Sequence, residues 1–287
     1  SAVYYQFGIL NSYDYNYADG SPVYPYGFRR NISLDPVQNG QLIDVKIRVE
    51  NEMNDKYVIA VDISNHTDFD SLRLHPEIDL QYVRIFDDLP PCDLVILPGS
   101  KSVMSDLNHL SDNHWQDKLK RHARYGGKIL GICGGFQMLG TKLFDPDGIE
   151  SSQKEMAGLG FADFSTQLTA HKQLKQVSGN ATFADCAVTG YEIHCGISEG
   201  PALTRPAFEL RDGEHTRADG FVSEDGLLMG TYVHGLFDSP ETTQALLQWL
   251  APNIQLTQQL DLNQHREQQL NKLADVCRQH LDINKIK

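Results

Sequence analysis

No stretch of this 287-residue chain approaches the ~20 consecutive apolar residues a membrane-spanning helix needs. No secretory leader is read in its polar, tyrosine-rich opening. Cysteine is scarce: five residues, an odd number without framework spacing, which excludes a disulfide scaffold and agrees with a reducing, cytoplasmic setting. The one His/Cys neighbour pair, His194-Cys195, has no second pair at zinc-finger spacing, so no metal site is expected. Basic charge is also short. Lys and Arg number 25 against 38 Asp and Glu, a net charge of −13. That balance excludes a nucleic-acid partner, whose phosphates need a basic face, and an anionic membrane surface. A phosphate loop is missing too. Leu97-Pro-Gly-Ser-Lys-Ser102 looks like one but lacks the first glycine of G-x-x-x-x-G-K-[ST]. What remains is ordinary soluble-protein composition, 40% hydrophobic and 22% charged.

Against that background, Gly131-Ile-Cys-Gly-Gly-Phe-Gln-Met-Leu-Gly140 stands out. The run Lys128-Ile-Leu reads as a buried strand that ends in a cysteine flanked by glycines, with an apolar helical segment behind it. Gly131-x-Cys133-x-Gly135 has the spacing of a nucleophile elbow. Four glycines in ten residues do not suit a plain core helix, where each costs about 1 kcal/mol against Ala. They suit a tight turn with close backbone approach. A helix start behind the sulfur favours the thiolate. The other cysteines, Cys92, Cys186, Cys195 and Cys277, sit in no such turn and read as structural.

A thiol with a free pKa of ~8.5 needs a base beside it. Of eleven histidines, His234 is singled out because it ends the β-rich run Leu227-Leu-Met-Gly-Thr-Tyr-Val-His234 and is followed by Gly235. Two strand ends can meet at one edge of a parallel sheet, where open α/β folds place their sites. Asp93-Leu-Val-Ile-Leu-Pro-Gly-Ser100 is a third buried strand. Backbone N–H groups at Gly99 and Ser100, with that of Gly134, are candidates for an oxyanion hole.

These segments, together with Ile63-Ser-Asn-His-Thr-Asp-Phe-Asp70, Gly190-Tyr-Glu-Ile-His194, Leu273-Ala-Asp275 and His280-Leu-Asp282, resemble a class I glutamine amidotransferase domain. The finer resemblance is to the glutaminase domain of cobyric acid synthase, from about Tyr57 to near the C-terminus. It implies a flavodoxin-like fold with a mostly parallel sheet and helices on both faces. It implies that Cys133 attacks the side-chain amide of glutamine, that His234 assists, and that Gln137, Glu192 and His194 bind substrate. Ammonia would then amidate a corrinoid carboxylate. The ATP and Mg for that step would belong to a synthetase domain outside this chain, leaving no cofactor here. The acid usually two residues after the histidine is replaced by Leu236, so the resemblance implies a Cys–His dyad. A backbone carbonyl, a water or an acid from elsewhere must then orient the imidazole, with Asp238 and Glu192 as candidates. Alternatives are an inactive partner module on the same fold, a glutaminase subunit for another acceptor, or a peptidase-like Cys–His hydrolase.

The expected organisation is a tyrosine-rich, β-like segment over residues 1–56 and an amidotransferase domain over 57–287. Seven of twelve tyrosines fall in the first 26 residues, and Leu42–Val49 alternates as a strand does. Strands are expected at Tyr57–Asp62, Leu80–Phe86, Leu94–Leu97, Lys128–Ile132 and Leu227–Val233. Helices are expected at Ser102–Leu110, His114–Tyr125, Gly135–Thr141 and Glu241–Leu250, the last capped by Ser239 with Pro240 in its first turn. Residues 158–221 read as β-rich, and about Asn263–Leu281 as a polar closing helix.

Overall fold

The computed structural model describes residues 43–51, 54–62 and 66–280, apart from 255, 258, 259 and 261. The tyrosine-rich opening and the Leu281-Asp282 end of the C-terminal segment lie outside the described residues. Strands β1 (Ile43–Asn51) and β2 (Asn54–Asp62) form an antiparallel hairpin, so the pairing runs across the boundary expected at residue 57. A 3-10 turn at His66–Phe69 leads into α1 (Asp70–Leu74), a segment with no counterpart in the sequence-based elements. Then come β3 (Leu80–Arg84), β4 (Leu94–Leu97), α2 (Val103–Asp112), α3 (Trp115–Arg124), β5 (Lys128–Ile132) and α4 (Gly134–Leu139). The β-rich stretch holds β6 (Lys142–Phe144), β7 (Glu155–Ala157), β8 (Ser165–Ala181), β9 (Ala187–Glu199), β10 (Phe208–Asp212) and β11 (His215–Asp219). The chain returns through β12 (Phe221–Val222), β13 (Leu228–Thr231) and β14 (Val233–His234), and ends in α5 (Pro240–Leu250) and α6 (Leu262–His280).

One sheet of seven strands runs β12-β13-β5-β4-β2-β1-β3. Its centre is parallel, β2 to β4 to β5 to β13, and its edges are antiparallel. Strand β4 shows why its sequence is a continuous apolar run: all four residues are buried. Leu94 and Ile96 join a core with Phe69, Leu72, Leu246 and Leu250. Val95 and Leu97 point the other way, into a core with Leu107, Trp115, Leu119 and Phe136. Helices therefore cover both faces, and each fully buried Leu, Ile or Phe contributes roughly 1.5–3 kcal/mol. Ser239 caps α5, its Oγ accepting from Thr242 N at 3.2 Å.

A second, mostly antiparallel sheet is dominated by the β8–β9 hairpin. The expected single strand Leu227–Val233 is divided between the two sheets, and Asp219 explains the break. Its buried carboxylate accepts from the Thr231 hydroxyl, and from Tyr232 N at 3.3 Å. Thr231 Oγ in turn accepts from Val233 N at 2.9 Å. With these backbone groups satisfied by side chains, the ladder with β5 stops at Thr231. The chain crosses to the second sheet, where His234 pairs with Tyr191 on β9. Among the described residues, no helix is long and apolar enough to cross a membrane.

Candidate active site

Strand β5 delivers Cys133 and α4 begins immediately after it. Cys133 has φ 51° and ψ −109°, a left-handed conformation that costs of order 1–3 kcal/mol for a non-glycine residue. Its neighbours hold it there. Cys133 N donates to Thr231 O at 2.8 Å, Gln137 N donates to Cys133 O at 3.0 Å, and Gly135 N donates to Pro98 O at 2.8 Å. A Cβ on Gly135 would lie 1.9 Å from Leu97 O, so only glycine admits this contact between elbow and β4. Cys133 is 6% exposed, and its sulfur lies 3.4 Å from Ile193 O.

His234 reaches the same place from the second sheet, and both it and Cys133 face one cavity, near enough for the charge of the sulfur to act on the imidazole. Its Nδ1 donates to Asp68 Oδ2 at 2.6 Å. Burial drives the imidazole toward its neutral form. The bond to Asp68 and the charges of Cys133 and Asp68 outweigh burial and raise its pKa to about 10. Tyr191 lies parallel to the imidazole, centroids 5.1 Å apart, and its hydroxyl donates to Asp68 Oδ1 at 3.1 Å. Burial, with the Asp68 charge beside it, raises the Tyr191 pKa. The orienting acid is thus Asp68, at the turn before α1, and neither Asp238 nor Glu192. The constellation is Cys–His–Asp, where the resemblance implied a dyad.

Cys133 and His234 open on a cavity of about 210 Å³. Gly99, Ser100, Gln137 and His194 line it, as do the charged Lys101, Lys172 and Glu150. Gly134 packs beneath: a Cβ there would sit 2.8 Å from Ser100 N. Three candidate donor residues, Gly99, Ser100 and Gly134, are therefore gathered beside the sulfur. Gln137 donates to the Tyr232 hydroxyl at 3.2 Å, and His194 stacks on Tyr232 with centroids 3.7 Å apart. Burial lowers the His194 pKa.

Among the sequence-derived residues, Glu192 is the one whose side chain is engaged elsewhere. It is absent from the cavity wall; its side chain is buried and paired with Arg217 at 2.5 Å. Strand alternation identified Tyr191–His194 as a strand, but alternation does not say which face meets the cavity. Among the described residues, no group of three or more His, Cys, Asp or Glu side chains is arranged to hold a metal ion.

A sulfur held at a bend, an imidazole that keeps its proton, a carboxylate behind it and amides in front can attack a carbonyl and stabilise the resulting oxyanion. A solved glutamine amidotransferase aligns with TM-score 0.40 and 12% identity over 56% of this chain and 80% of that one. PurLQS from Thermotoga maritima gives 0.47 and 16%, over 65% and 93%. A glutamine amido transferase from Methylobacillus flagellatus gives 0.34 and 14%, over 58% and 61%. The family model described as CobB/CobQ-like glutamine amidotransferase domain matches residues 57–242. On that match, spanning well over half its length, this chain belongs to the CobB/CobQ-like glutamine amidotransferase family.

Proposed function

We propose that the chain hydrolyses glutamine to glutamate and ammonia through a thioester on Cys133, as the glutaminase part of a cobyric acid synthase-like enzyme. The observation that carries this reading is the Cys133–His234–Asp68 chain of contacts beside a cavity of amino-acid size. Cys133 Sγ, ionised against the His234 imidazolium, attacks the side-chain carbonyl carbon of glutamine. The oxyanion is received by N–H groups of the Gly99-Ser100 loop and of Gly134. His234 gives its proton to the amide nitrogen, which leaves as ammonia, and the glutamyl thioester remains. Water then adds to the thioester carbon as His234 takes its proton back. Glutamate departs and the thiolate–imidazolium pair is restored.

Asp68 holds the imidazole with Nδ1 protonated toward it, so Nε2 is the nitrogen that serves the sulfur and the leaving group. Gln137 and His194, on the cavity wall, position the substrate. The ammonia passes to a synthetase domain or subunit for ATP- and Mg-dependent amidation of corrinoid carboxylates in cobalamin biosynthesis, and the protein works in the cytoplasm.

The test is glutamate release from glutamine by the purified chain, alone and with a cobyric acid synthetase domain added. Release should be lost, to below about one part in 10³, in Cys133→Ser. Release that survives this substitution removes Cys133 from the mechanism. A glutamine-analogue electrophile should label Cys133 and spare the other cysteines.

A further inference from the structure

The loop Pro98–Ser102 carries two of the three amides assigned to the oxyanion, and it is tied down at both ends. On the elbow side, Gly135 N donates to Pro98 O at 2.8 Å. On the helix side the tie is a side chain that the mechanism above does not use. Asp106 is one of the buried residues of α2, with Val103, Leu107 and Leu110, and is 1% exposed. Its Oδ2 accepts a hydrogen bond from the Ser100 hydroxyl. That hydroxyl also accepts from Ser102 N at 3.0 Å. Asp106 N donates to Ser102 O at 3.0 Å, closing the first turn of α2 on the same loop. Glu150 shares the cavity wall with Ser100 and with Val103, the first residue of α2.

The Ser100 hydroxyl is occupied by Asp106 and Ser102, so what Ser100 brings to the reaction is its backbone N–H. That N–H lies against Gly134, where an added Cβ would meet it at 2.8 Å. A shift of a few tenths of an ångström in the loop would therefore alter the spacing of two donors at once. A buried carboxyl is also expensive to keep. Burial raises the Asp106 pKa to about 7, with Glu150 adding to the rise and the Ser100 bond opposing it. An apolar residue would pack this site more simply.

We propose that Asp106 is a positioning residue for glutamine hydrolysis: by holding the Ser100 hydroxyl it fixes the Pro98–Ser102 loop so that its N–H groups meet the oxyanion of the Cys133 adduct. The inference rests on the glutamine-hydrolysing reading and adds to it a residue that never touches substrate.

The experiment measures kcat and KM for glutamate release in wild type, Asp106→Ala, Asp106→Asn, Ser100→Ala and the Ser100→Ala/Asp106→Ala double variant. Each kcat is taken per site labelled by a glutamine-analogue electrophile, so that misfolded protein is not counted. Asp106→Ala should lower kcat by about 10- to 100-fold, below the ~10²–10³-fold loss expected when a donor is removed outright. KM should stay within about threefold, because the lost interaction belongs to the transition state. Asp106→Asn, whose Oδ1 still accepts from Ser100, should remain within about threefold of wild type. Ser100→Ala should resemble Asp106→Ala, and the double variant should add little to either, as expected of two residues acting through one bond.

An unchanged kcat per labelled site in Asp106→Ala overturns the proposal, as do fully additive losses in the double variant. Should Asp106→Ala fail to fold, Ser100→Ala reads the same contact, and full turnover there is equally decisive. Wild-type protein that releases no glutamate removes the glutamine reading and this inference with it. Normal wild-type release with unaffected variants removes the inference alone.

Discussion

Around Cys133 almost every signal in the sequence is local, although the turn is also held by Thr231 O and Pro98 O on the neighbouring strands. The strand before it, the glycines beside it and the six-residue α4 behind it lie within about ten positions of the sulfur. Around His234 almost none is. Its acid, Asp68, is 166 residues away in the chain, its stacking partner Tyr191 is on another hairpin, and the break that turns it toward the sulfur depends on Asp219. A nucleophile can be specified by a short motif because strain at one residue needs only close backbone neighbours. A base of raised pKa must be assembled from charges that arrive from several elements. The two halves should accordingly fail in different ways when disturbed.

The most damaging disturbance of the long-range half is His234→Asn. It should lower glutamate release by about 10²–10⁴-fold while the fold is kept, as seen by circular dichroism. Asp68→Asn is the next test. It should reduce kcat by roughly 10²-fold and also move the pH profile. The His234 pKa is raised to about 10 in part by Asp68, so the imidazolium of the wild type persists through neutral pH and is lost only as pH rises toward that value. Without the Asp68 charge the proton leaves at lower pH, and the alkaline limb of kcat/KM should shift toward neutrality. A limb that does not move would mean that Asp68 does not set the protonation of His234.

Disturbing the local half should instead be felt in stability. In Gly135→Ala the new Cβ would lie 1.9 Å from Leu97 O. Overpacking of this kind costs about 1–3 kcal/mol, read as a fall of roughly 2–4 °C in Tm for each kcal/mol. The smallest effect concerns Asp219, whose pKa is raised to about 6 by burial and the nearby Glu192 charge, against its hydrogen bonds to Thr231 and Tyr232. An acid whose folded pKa lies above the unfolded value of ~3.9 adds stability below that value, and the gain is lost as pH rises through the folded value. Thermal stability should therefore decline between about pH 4 and pH 7, and Asp219→Asn should decline less over that interval. Parallel slopes in the two proteins would contradict this assignment.

The same division decides what could be read from the chain before its coordinates. Strands β4 and β5 fall where their apolar runs placed them, at Leu94–Leu97 and Lys128–Ile132. Helices α2, α3, α4 and α5 lie within two residues of expectation at each end, because caps, glycines and apolar stripes are local signals. Gly99, Ser100, Gly134, Cys133 and His234 do converge. Asp68 lies in a segment that carries the family resemblance, yet nothing in the sequence pairs it with His234. No spacing rule links a turn before α1 to a strand end so distant in sequence. The break at Tyr232 was hidden for a similar reason, since Leu227–Val233 reads as one apolar strand unless Asp219 is known to lie against it. The resemblance puts Glu192 on the substrate, and its partner Arg217, on β11, is invisible to strand alternation alone.

The handover of the chain at Tyr232 leaves sulfur and imidazole mounted on separate platforms, one on each sheet. Their separation is thus a gauge of how the platforms are aligned. A partner that pressed on the long β8–β9 ribbon would be felt at the thiol without entering the cavity, through leverage on the platform that carries the base.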